Sequence, residues 1–548
     1  MAEMKRRDFL KTVSATGMAV CTPAIVTNKA YADLTPVGRY FVFLHLGGGW
    51  DPTSFCDPKG NITRGSIDPD TRNSGSRVNK FCSAAIRKVA DVALEDNVDA
   101  DMVYAPYRGT FNEGDMDQPG TPATNTGVTI EHVRRMLAGS PDGTDPSLLR
   151  ADLSDGFDWA TAKSDSAEQI RANAEGILEG RLTTVEFDTL ADAMVGVTRN
   201  GTQMDADRFV YDAFCCLYGS KVRILNGVDN RTNGHDTGTR FADTGSMDMA
   251  YPDFSALYAA VKGADRPLAY ITDGGGNDET AGLVPRSSAS DVNVFNTLAD
   301  PEGDYLDGGM KGLVEQAKQR RRQLLSVKES LPRRDRLQSQ LYMVRDEGLA
   351  FSGVATRLAN PTDPAEIELN DAANNGRQRQ MRIGAAAMST GMASSMQIGF
   401  GGFDTHNDHD NRHFFRIRDV LVDLHYLWRT LSVYGIDGQT TVALGSDFGR
   451  TPWYNSGEGK DHWAVTSYVL MGQDVSGGTV VNATDPLVGA RNVQVSGSTL
   501  TPVDEEQSGS IRITPAHLHR GLRSIAGISN HDFSLTFPIE AEDIPVFG

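Results

Sequence analysis

The sequence has 548 residues, of which 39% are apolar, and its formal net charge at pH 7 is −19. This length and apolar content are those of an ordinary globular protein with a large core. The acidic surface argues against binding to nucleic acid or to an anionic membrane. It would also repel an anionic substrate unless a metal ion reverses the local field.

Residues 1–32 predict a twin-arginine signal peptide rather than folded structure. They contain the pair Arg6-Arg7, a mildly apolar run at 13–26 and an Ala-Tyr-Ala cleavage signal at 30–32. The run is too short and too polar to cross a bilayer, so we expect no transmembrane segment in the mature chain. We expect export by the twin-arginine (Tat) machinery to the periplasm or out of the cell. Removal of this leader would leave a net charge of −22.

Apolar strands alternate with helical patterns along the rest of the chain. Continuous apolar stretches, typical of parallel strands covered on both faces, lie at 40–46, 267–272, 394–400 and 440–445. Helical patterns lie at 253–261, 309–347, 376–392 and 413–434. This alternation predicts the α/β class, with a mostly parallel central sheet flanked by helices. We expect residues 33–548 to form a single domain with loop-rich insertions at about 57–120, 140–210 and 275–310.

Carboxylates and histidines occur in four short runs, each placed after a predicted or plausible strand. The runs are GGGWD at 47–51, GFDTH at 402–406, GSDFGRT at 445–451 and GKDH at 459–462. Open α/β sheets place their chemistry at the carboxyl ends of strands, so we expect these side chains to converge. Carboxylate oxygens suit a hard divalent cation, and zinc or manganese also accepts imidazole nitrogen. The runs therefore predict a divalent metal site (Zn, Mn, Mg or Ca) with the candidate ligands Asp51, Asp404, His406, Asp447 and His462.

The local spacing supports some of these ligands more directly than others. Asp404 and His406 are two residues apart, so an extended segment would place them on one face. The adjacent Asp461 and His462 could share a site only on a turn, which the glycines before them favour. Arg450 could clamp a phosphate or sulfate through two hydrogen bonds, a catalytic role. Asp51 or Asp447 alone would more often be a helix N-cap or a turn residue than a ligand, and it is the recurrence of such motifs after strands that indicates a site.

Together with the leader, these runs resemble the DUF1501 family of secreted bacterial proteins, which looks like a divergent branch of the alkaline phosphatase and sulfatase superfamily. The resemblance covers essentially the whole mature chain. It implies an alkaline phosphatase-like sheet, one or two metal ions, and a Ser, Thr or modified Cys nucleophile that attacks phosphorus or sulfur.

The resemblance also assigns places to individual residues. Asp51 matches the first-strand aspartate, and His462 resembles the last metal-binding histidine. Asp404 and His406 look like the Asp/His pair of the other metal site, but the superfamily spacing is wider, so His409 is an alternative to His406. Phe448 stands where the superfamily signature around Asp447 has a His or Asn. This departure removes one ligand, which leaves support for one metal and keeps a second open.

The nucleophile implied by the resemblance would lie at the start of a helix, within 123–132. Thr126 is the first candidate and Thr129 the second, because a helix N-terminus carries partial positive charge and a metal could lower the hydroxyl pKa. Either threonine could instead only cap the helix. His235, in a polar loop at 233–238, is a candidate substrate contact, with a solvated histidine as the alternative.

These observations lead to two hypotheses of different kinds. The first is an exported metal-dependent hydrolase that acts on a small anionic phosphate or sulfate ester through a hydroxyl nucleophile. The alternative is a non-catalytic secreted binding or surface-assembly protein that keeps the fold, with or without one structural metal. A phosphomutase-like transfer is a third option, and nucleic acid is not expected as a partner.

Overall fold

The computed structural model describes residues 36–57, 210–288 and, apart from a few positions, 351–548, with short helical or strand pieces within 87–205 and 310–324. The expected leader, the candidate nucleophiles Thr126 and Thr129, and most of the expected insertions lie outside the described residues. Most of the helix expected at 309–347 lies outside them as well.

An eight-stranded sheet forms the centre of the described structure, in the order β8-β2-β7-β6-β1-β5-β3-β4. Its strands are β1 Tyr40–Leu46, β2 Val222–Asp229, β3 Tyr270–Thr272, β4 Arg286–Ser287, β5 Ser395–Phe400, β6 Thr440–Ser446, β7 Val465–Gly472 and β8 Thr479–Val481. β1 pairs in parallel with both β5 and β6, whereas β7 is antiparallel to both of its neighbours. The other described pairs of this sheet are parallel. The sheet is therefore mixed but mostly parallel, which confirms the expected α/β class.

Helices cover both faces of this sheet. They are α1 Val210–Tyr218, α2 His235–Thr244, α3 Phe254–Lys262, α4 Ser352–Ala359, α5 Pro364–Ala372, α6 Gly376–Ser389, α7 His409–Val433, α8 Pro515–Ile525 and α9 Asp532–Thr536. Alternate side chains of β1 enter two different apolar clusters. Val42 and Leu44 pack in the cluster that includes α6 and α7, whereas Phe41 and Phe43 pack in the one that includes α3 and α8. Burial on both faces explains why β1 reads as a continuous apolar run.

Smaller elements complete the described part. A 3-10 helix spans Pro52–Ser54, and a two-stranded ribbon pairs Gly449–Arg450 with His462–Trp463. A three-stranded sheet is formed by Asn492–Ser496, Thr499–Val503 and Ile511–Arg512. Two-residue strands pair at 87–88 with 103–104 and at 184–185 with 204–205. Within the described residues, none of the helices has the length and apolar character needed to cross a membrane.

Within the described part of the chain, the predicted elements account for four of the eight strands of the sheet and for three of the nine helices that cover it. The four expected strands are present as β1, β3, β5 and β6, and the helices expected at 253–261, 376–392 and 413–434 are present as α3, α6 and α7. α7 begins at His409, one turn earlier than expected. The sequence pattern does not predict the strands β2, β4, β7 and β8 or the helices α1, α2, α4, α5, α8 and α9. It assigns the first residue of α2, His235, to a polar loop.

The register of the central strands aligns the loops that follow them. Leu46 at the end of β1 lies opposite Phe400 at the end of β5 and opposite Ser446 at the end of β6. The segments that begin at Gly47, Gly401 and Asp447 therefore leave the sheet at one level of its carboxyl edge.

Candidate metal centre

The carboxylate of Asp404 is the meeting point of three imidazoles. Its Oδ1 lies 3.1 Å from His406 Nε2 and 3.2 Å from His462 Nε2, and its Oδ2 lies 3.6 Å from His235 Nε2. The Nε2 atoms of His406 and His462 are themselves 3.0 Å apart. The possible ligand atoms of His235, Asp404 and His462 all lie within 4.8 Å of one another.

Two of these imidazoles are held from behind by carboxylates. His235 Nδ1 lies 2.6 Å from Asp447 Oδ2, and His406 Nδ1 lies 2.8 Å from Asp461 Oδ1. Burial alone would raise the pKa of each carboxyl, but the hydrogen bond from the facing histidine and nearby positive charge outweigh it and lower both. Both carboxylates are thus ionised acceptors at neutral pH, so the proton of each hydrogen bond belongs to Nδ1.

The third imidazole is held by the backbone. His462 Nδ1 lies 2.7 Å from the carbonyl oxygen of Asn233, which can only accept, so this Nδ1 also carries a hydrogen. A neutral ring protonated at Nδ1 has a lone pair on Nε2. In that form each Nε2 would direct its lone pair towards the Asp404 carboxylate, which is repulsive unless a proton or a cation lies between them.

His235 reaches this position because a helix starts there. It is the first residue of α2, after the N-cap Gly234. One turn on, a Cβ at Gly238 would overlap the carbonyl oxygen of Asp447, so only glycine lets α2 approach the end of β6 so closely. The hydrogen bond with Asp447 raises the pKa of His235, against the opposing effect of burial. The structure thus places this candidate substrate contact among the possible ligands.

Asp447 lies behind His235 and outside the group around Asp404. It is buried, and the amide of Gly48 donates to both of its oxygens at 3.2 Å. The Ser446 hydroxyl lies 3.0 Å from its Oδ1. These contacts fix Asp447 to the loop after β1 and leave Oδ2 to orient His235. They favour a positioning role over the direct ligand role expected from the sequence.

Arg450 is fully buried beneath Asp404. Its Nε donates to Gly49 O at 2.9 Å, its Nη1 to Lys460 O at 2.9 Å, and its Nη2 to Asp404 Oδ1 at 2.6 Å and also to Gly48 O. Burial works to raise the pKa of Asp404, but the hydrogen bond and charge of Arg450 lower it to about 2. These contacts favour a role in positioning Asp404 over the anion clamp expected from the sequence.

Asp51 lies in a different environment from the other candidate ligands. It is buried, its Oδ2 lies 2.6 Å from Lys460 Nζ and 3.1 Å from His409 Nε2, and it does not belong to the group around Asp404. His409, the alternative to His406, is therefore the histidine beside Asp51. His406 is the one beside Asp404.

One family model matches this chain and identifies the family to which it belongs. The model described as "Protein of unknown function (DUF1501)" matches residues 220–500, just over half of the chain. The chain belongs to the DUF1501 family. No curated protein and no solved structure matches it.

The segment that matches the DUF1501 model contains His235, Asp404, His406 and His462, whereas Asp51 lies before it. The centre around Asp404 is thus carried by the part of the chain that defines the family. The sequence alone singles out these four residues, and it also singles out Asp447 and Arg450, but as a ligand and an anion clamp and not as the groups behind His235 and Asp404. The pairing of Asp461 with His406 and of Asn233 with His462 has no signal in the sequence, because each joins segments brought together only by the fold.

Proposed function

We propose that this DUF1501 protein is an exported metal-dependent hydrolase of phosphate or sulfate esters. One observation carries the metal centre. Three imidazoles direct Nε2 at a single carboxylate, and each is oriented through Nδ1 by an acceptor on another segment. A metal-binding histidine in proteins almost always has such a partner on its other nitrogen. The class of ester rests on the sequence resemblance to the alkaline phosphatase and sulfatase superfamily.

The donor set narrows the choice of ion. His235, His406, His462 and Asp404 would supply nitrogen-rich coordination, which suits zinc or manganese. Magnesium and calcium prefer oxygen ligands. Of the four metals expected from the sequence, we therefore favour zinc or manganese.

The residues around the centre have separable roles in this proposal. A divalent ion held there would act as a Lewis acid and offset charge on the ester oxygens. Asp447 and Asp461 keep their histidines in the tautomer that offers Nε2. Arg450 keeps Asp404 ionised and aimed at the imidazoles. A hydroxyl nucleophile remains part of the proposal, with the candidates Thr126 and Thr129 outside the described residues.

Elemental analysis of the natively exported protein, followed by assay on aryl phosphate and aryl sulfate esters, tests this proposal. We expect bound zinc or manganese in the wild type and its loss in His462→Ala and in Asp404→Asn, together with loss of hydrolysis. Asp447→Asn removes a charge behind a ligand, so it should weaken metal binding by about 10–100-fold without abolishing it. His531→Ala, which changes an exposed histidine at the N-cap of α9, is the matched control and should keep both metal and activity.

The outcomes separate the two hypotheses. A folded wild type that contains no divalent metal would overturn the proposed centre. A wild type that binds metal through His462 and Asp404 but hydrolyses none of the esters would favour the non-catalytic binding or surface-assembly protein.

A further inference from the structure

Beneath the metal centre lies a buried ion pair between Asp51 and Lys460. The two side chains are each about 1% exposed, with Lys460 Nζ 2.6 Å from Asp51 Oδ2. The same ammonium lies 3.2 Å from the Thr53 hydroxyl. On the other side, His409 Nε2 lies 3.1 Å from Asp51 Oδ2.

Both carboxylate oxygens of Asp51 already accept as many hydrogen bonds as they can. Its oxygens receive the amide and hydroxyl of Thr53 at 2.9 and 2.7 Å and the Ser54 hydroxyl at 3.3 Å, besides Lys460 and His409. A carboxylate offers about four lone-pair sites, so five donors leave none for a metal. The pKa of Asp51 lies well below its usual range because Lys460 and His409 outweigh the effect of burial.

Thr405 and Lys460, which contact His409 and Asp51, lie within two residues of the candidate ligands in the sequence. Thr405 is buried between the exposed Asp404 and His406, as expected when an extended segment places successive side chains on opposite faces. Its hydroxyl lies 2.6 Å from His409 Nδ1. Lys460 in turn lies two residues before His462 in sequence.

The backbone of Lys460 joins the same segments as its side chain. Its amide donates to Thr405 O at 3.0 Å, and its carbonyl accepts from Arg450 Nη1 at 2.9 Å. Lys460 is thus tied through its ammonium to the loop after β1, and through its backbone to the loop after β5 and to the ribbon. Any displacement of Lys460 would move His462 relative to Asp404.

We propose that the Asp51–Lys460 pair is a positioning pair, which fixes the loop of His462 beneath a centre that binds a single ion. The buried ammonium supplies the positive charge that Asp51 would otherwise receive from a second metal. This inference rests on the proposed function, because it assigns the pair a role in holding the ligands of that metal.

The test measures zinc stoichiometry and the zinc Kd, by competition with a chromogenic chelator, in the wild type and three variants. The variants are Asp51→Asn, Lys460→Met and the charge-neutral double variant Asp51→Asn/Lys460→Met. We expect one zinc per wild-type chain. In the double variant we expect one zinc with a Kd raised by about 10–100-fold, the usual effect of losing groups behind metal ligands. Each single variant should bind zinc no more tightly than the double variant, because each leaves an unpaired buried group.

The control is a second ion pair whose carboxylate is buried but whose cation is about 30% exposed. Asp423 is buried and its Oδ2 lies 2.9 Å from Arg377 Nε. Arg377→Met/Asp423→Asn should lower thermal stability but leave the zinc Kd unchanged. This separates a positioning effect at the centre from a general loss of stability.

Several results would overturn the inference. If Asp51 were a ligand, Lys460→Met would free its carboxylate and tighten zinc binding, and the wild type would take up two zinc ions. A wild type that binds one zinc with the same Kd as the double variant would overturn the positioning role alone. A folded wild type that binds no zinc or manganese would overturn the proposed function and this inference with it.

Discussion

Phe448 occupies the position at which the superfamily resemblance expected from the sequence would place a His or Asn ligand. Its ring is fully buried, with centroids 4.7 Å from the ring of His235 and 4.4 Å from that of His462. A Cβ at Gly49 would lie 2.6 Å from the Phe448 ring, so the loop after β1 packs directly on it. Phe448 therefore contributes an apolar wall that restrains two imidazoles instead of a further ligand, which is consistent with one metal ion.

His45, in the middle of the sheet, gives a prediction about pH. Burial alone would lower its pKa, but the hydrogen bond to Asp243 at 2.7 Å and the charges of Asp243, Asp447 and Asp253 raise it to about 9. The stabilisation from protonated His45 is complete below its ordinary pKa of about 6.5 and is lost as pH rises through 9. We expect His45→Gln to remove up to roughly 3 kcal/mol of the fall in unfolding free energy between pH 6.5 and 9. Urea unfolding across this range checks it, and parallel curves for the two proteins would contradict it.

For single residues, the sequence predicts a ligand pair where two side chains lie on one extended segment. The spacing of Asp404 and His406 indicates a shared face, and the structure brings them to 3.1 Å. The environment of Asp51 could not be predicted, because its partner Lys460 is more than four hundred residues away along the chain. The assignment of His235 to a loop has the same cause, since its helix forms against Asp447.

Among the elements, the glycine loop after β1 controls the approach of the loop after β5. Gly48 has φ +117°, and a Cβ there would overlap the amide nitrogen of Asp404 and lie 2.8 Å from the carbonyl carbon of Phe403. Side chains rarely adopt this φ, and the space beside it is already filled by backbone. The loop that carries Asp404 can therefore sit against β1 only because residue 48 is glycine.

Gly48→Ala should consequently lower stability and weaken zinc binding together. Gly38→Ala is the matched control, because Gly38 also has positive φ but has no atom within 4 Å of the position that an added methyl group would take. Gly38→Ala should lower the free energy of unfolding only by the backbone strain that it introduces, about 1–2 kcal/mol, and should leave the zinc Kd unchanged. Equal losses of stability in the two variants, with unchanged zinc binding in both, would contradict this account.

Two of the strands that the sequence pattern misses, β2 and β7, contain buried polar side chains whose hydrogen-bond partners are distant in the sequence. In β2, Arg223 donates to Val546 O at 2.7 Å and to Thr479 Oγ1 at 2.9 Å. In β7, the hydroxyl of Thr466 accepts from Trp50 Nε1 at 3.1 Å. Such residues interrupt the apolar pattern that predicts β1, β5 and β6, and nothing local indicates that they are buried.

For the whole molecule, the acidic composition opposes the binding of an anionic substrate. A net charge of −19 repels an anionic ester over the surface as a whole. Arg450 and Lys460 only balance the carboxylates of Asp404 and Asp51 with which they pair, so a divalent ion at Asp404 would be the positive charge that faces an ester at the carboxyl edge of the sheet. This local reversal of the field is what a metal centre contributes in a chain of this composition.

The most direct test of the centre is anomalous diffraction at the zinc or manganese edge, from crystals of the protein that contain the ion. We predict a single anomalous peak about 2.0–2.2 Å from the Nε2 atoms of His235, His406 and His462 and from the Asp404 carboxylate. A peak beside Asp51 and His409, or the lack of any peak at Asp404, would contradict it.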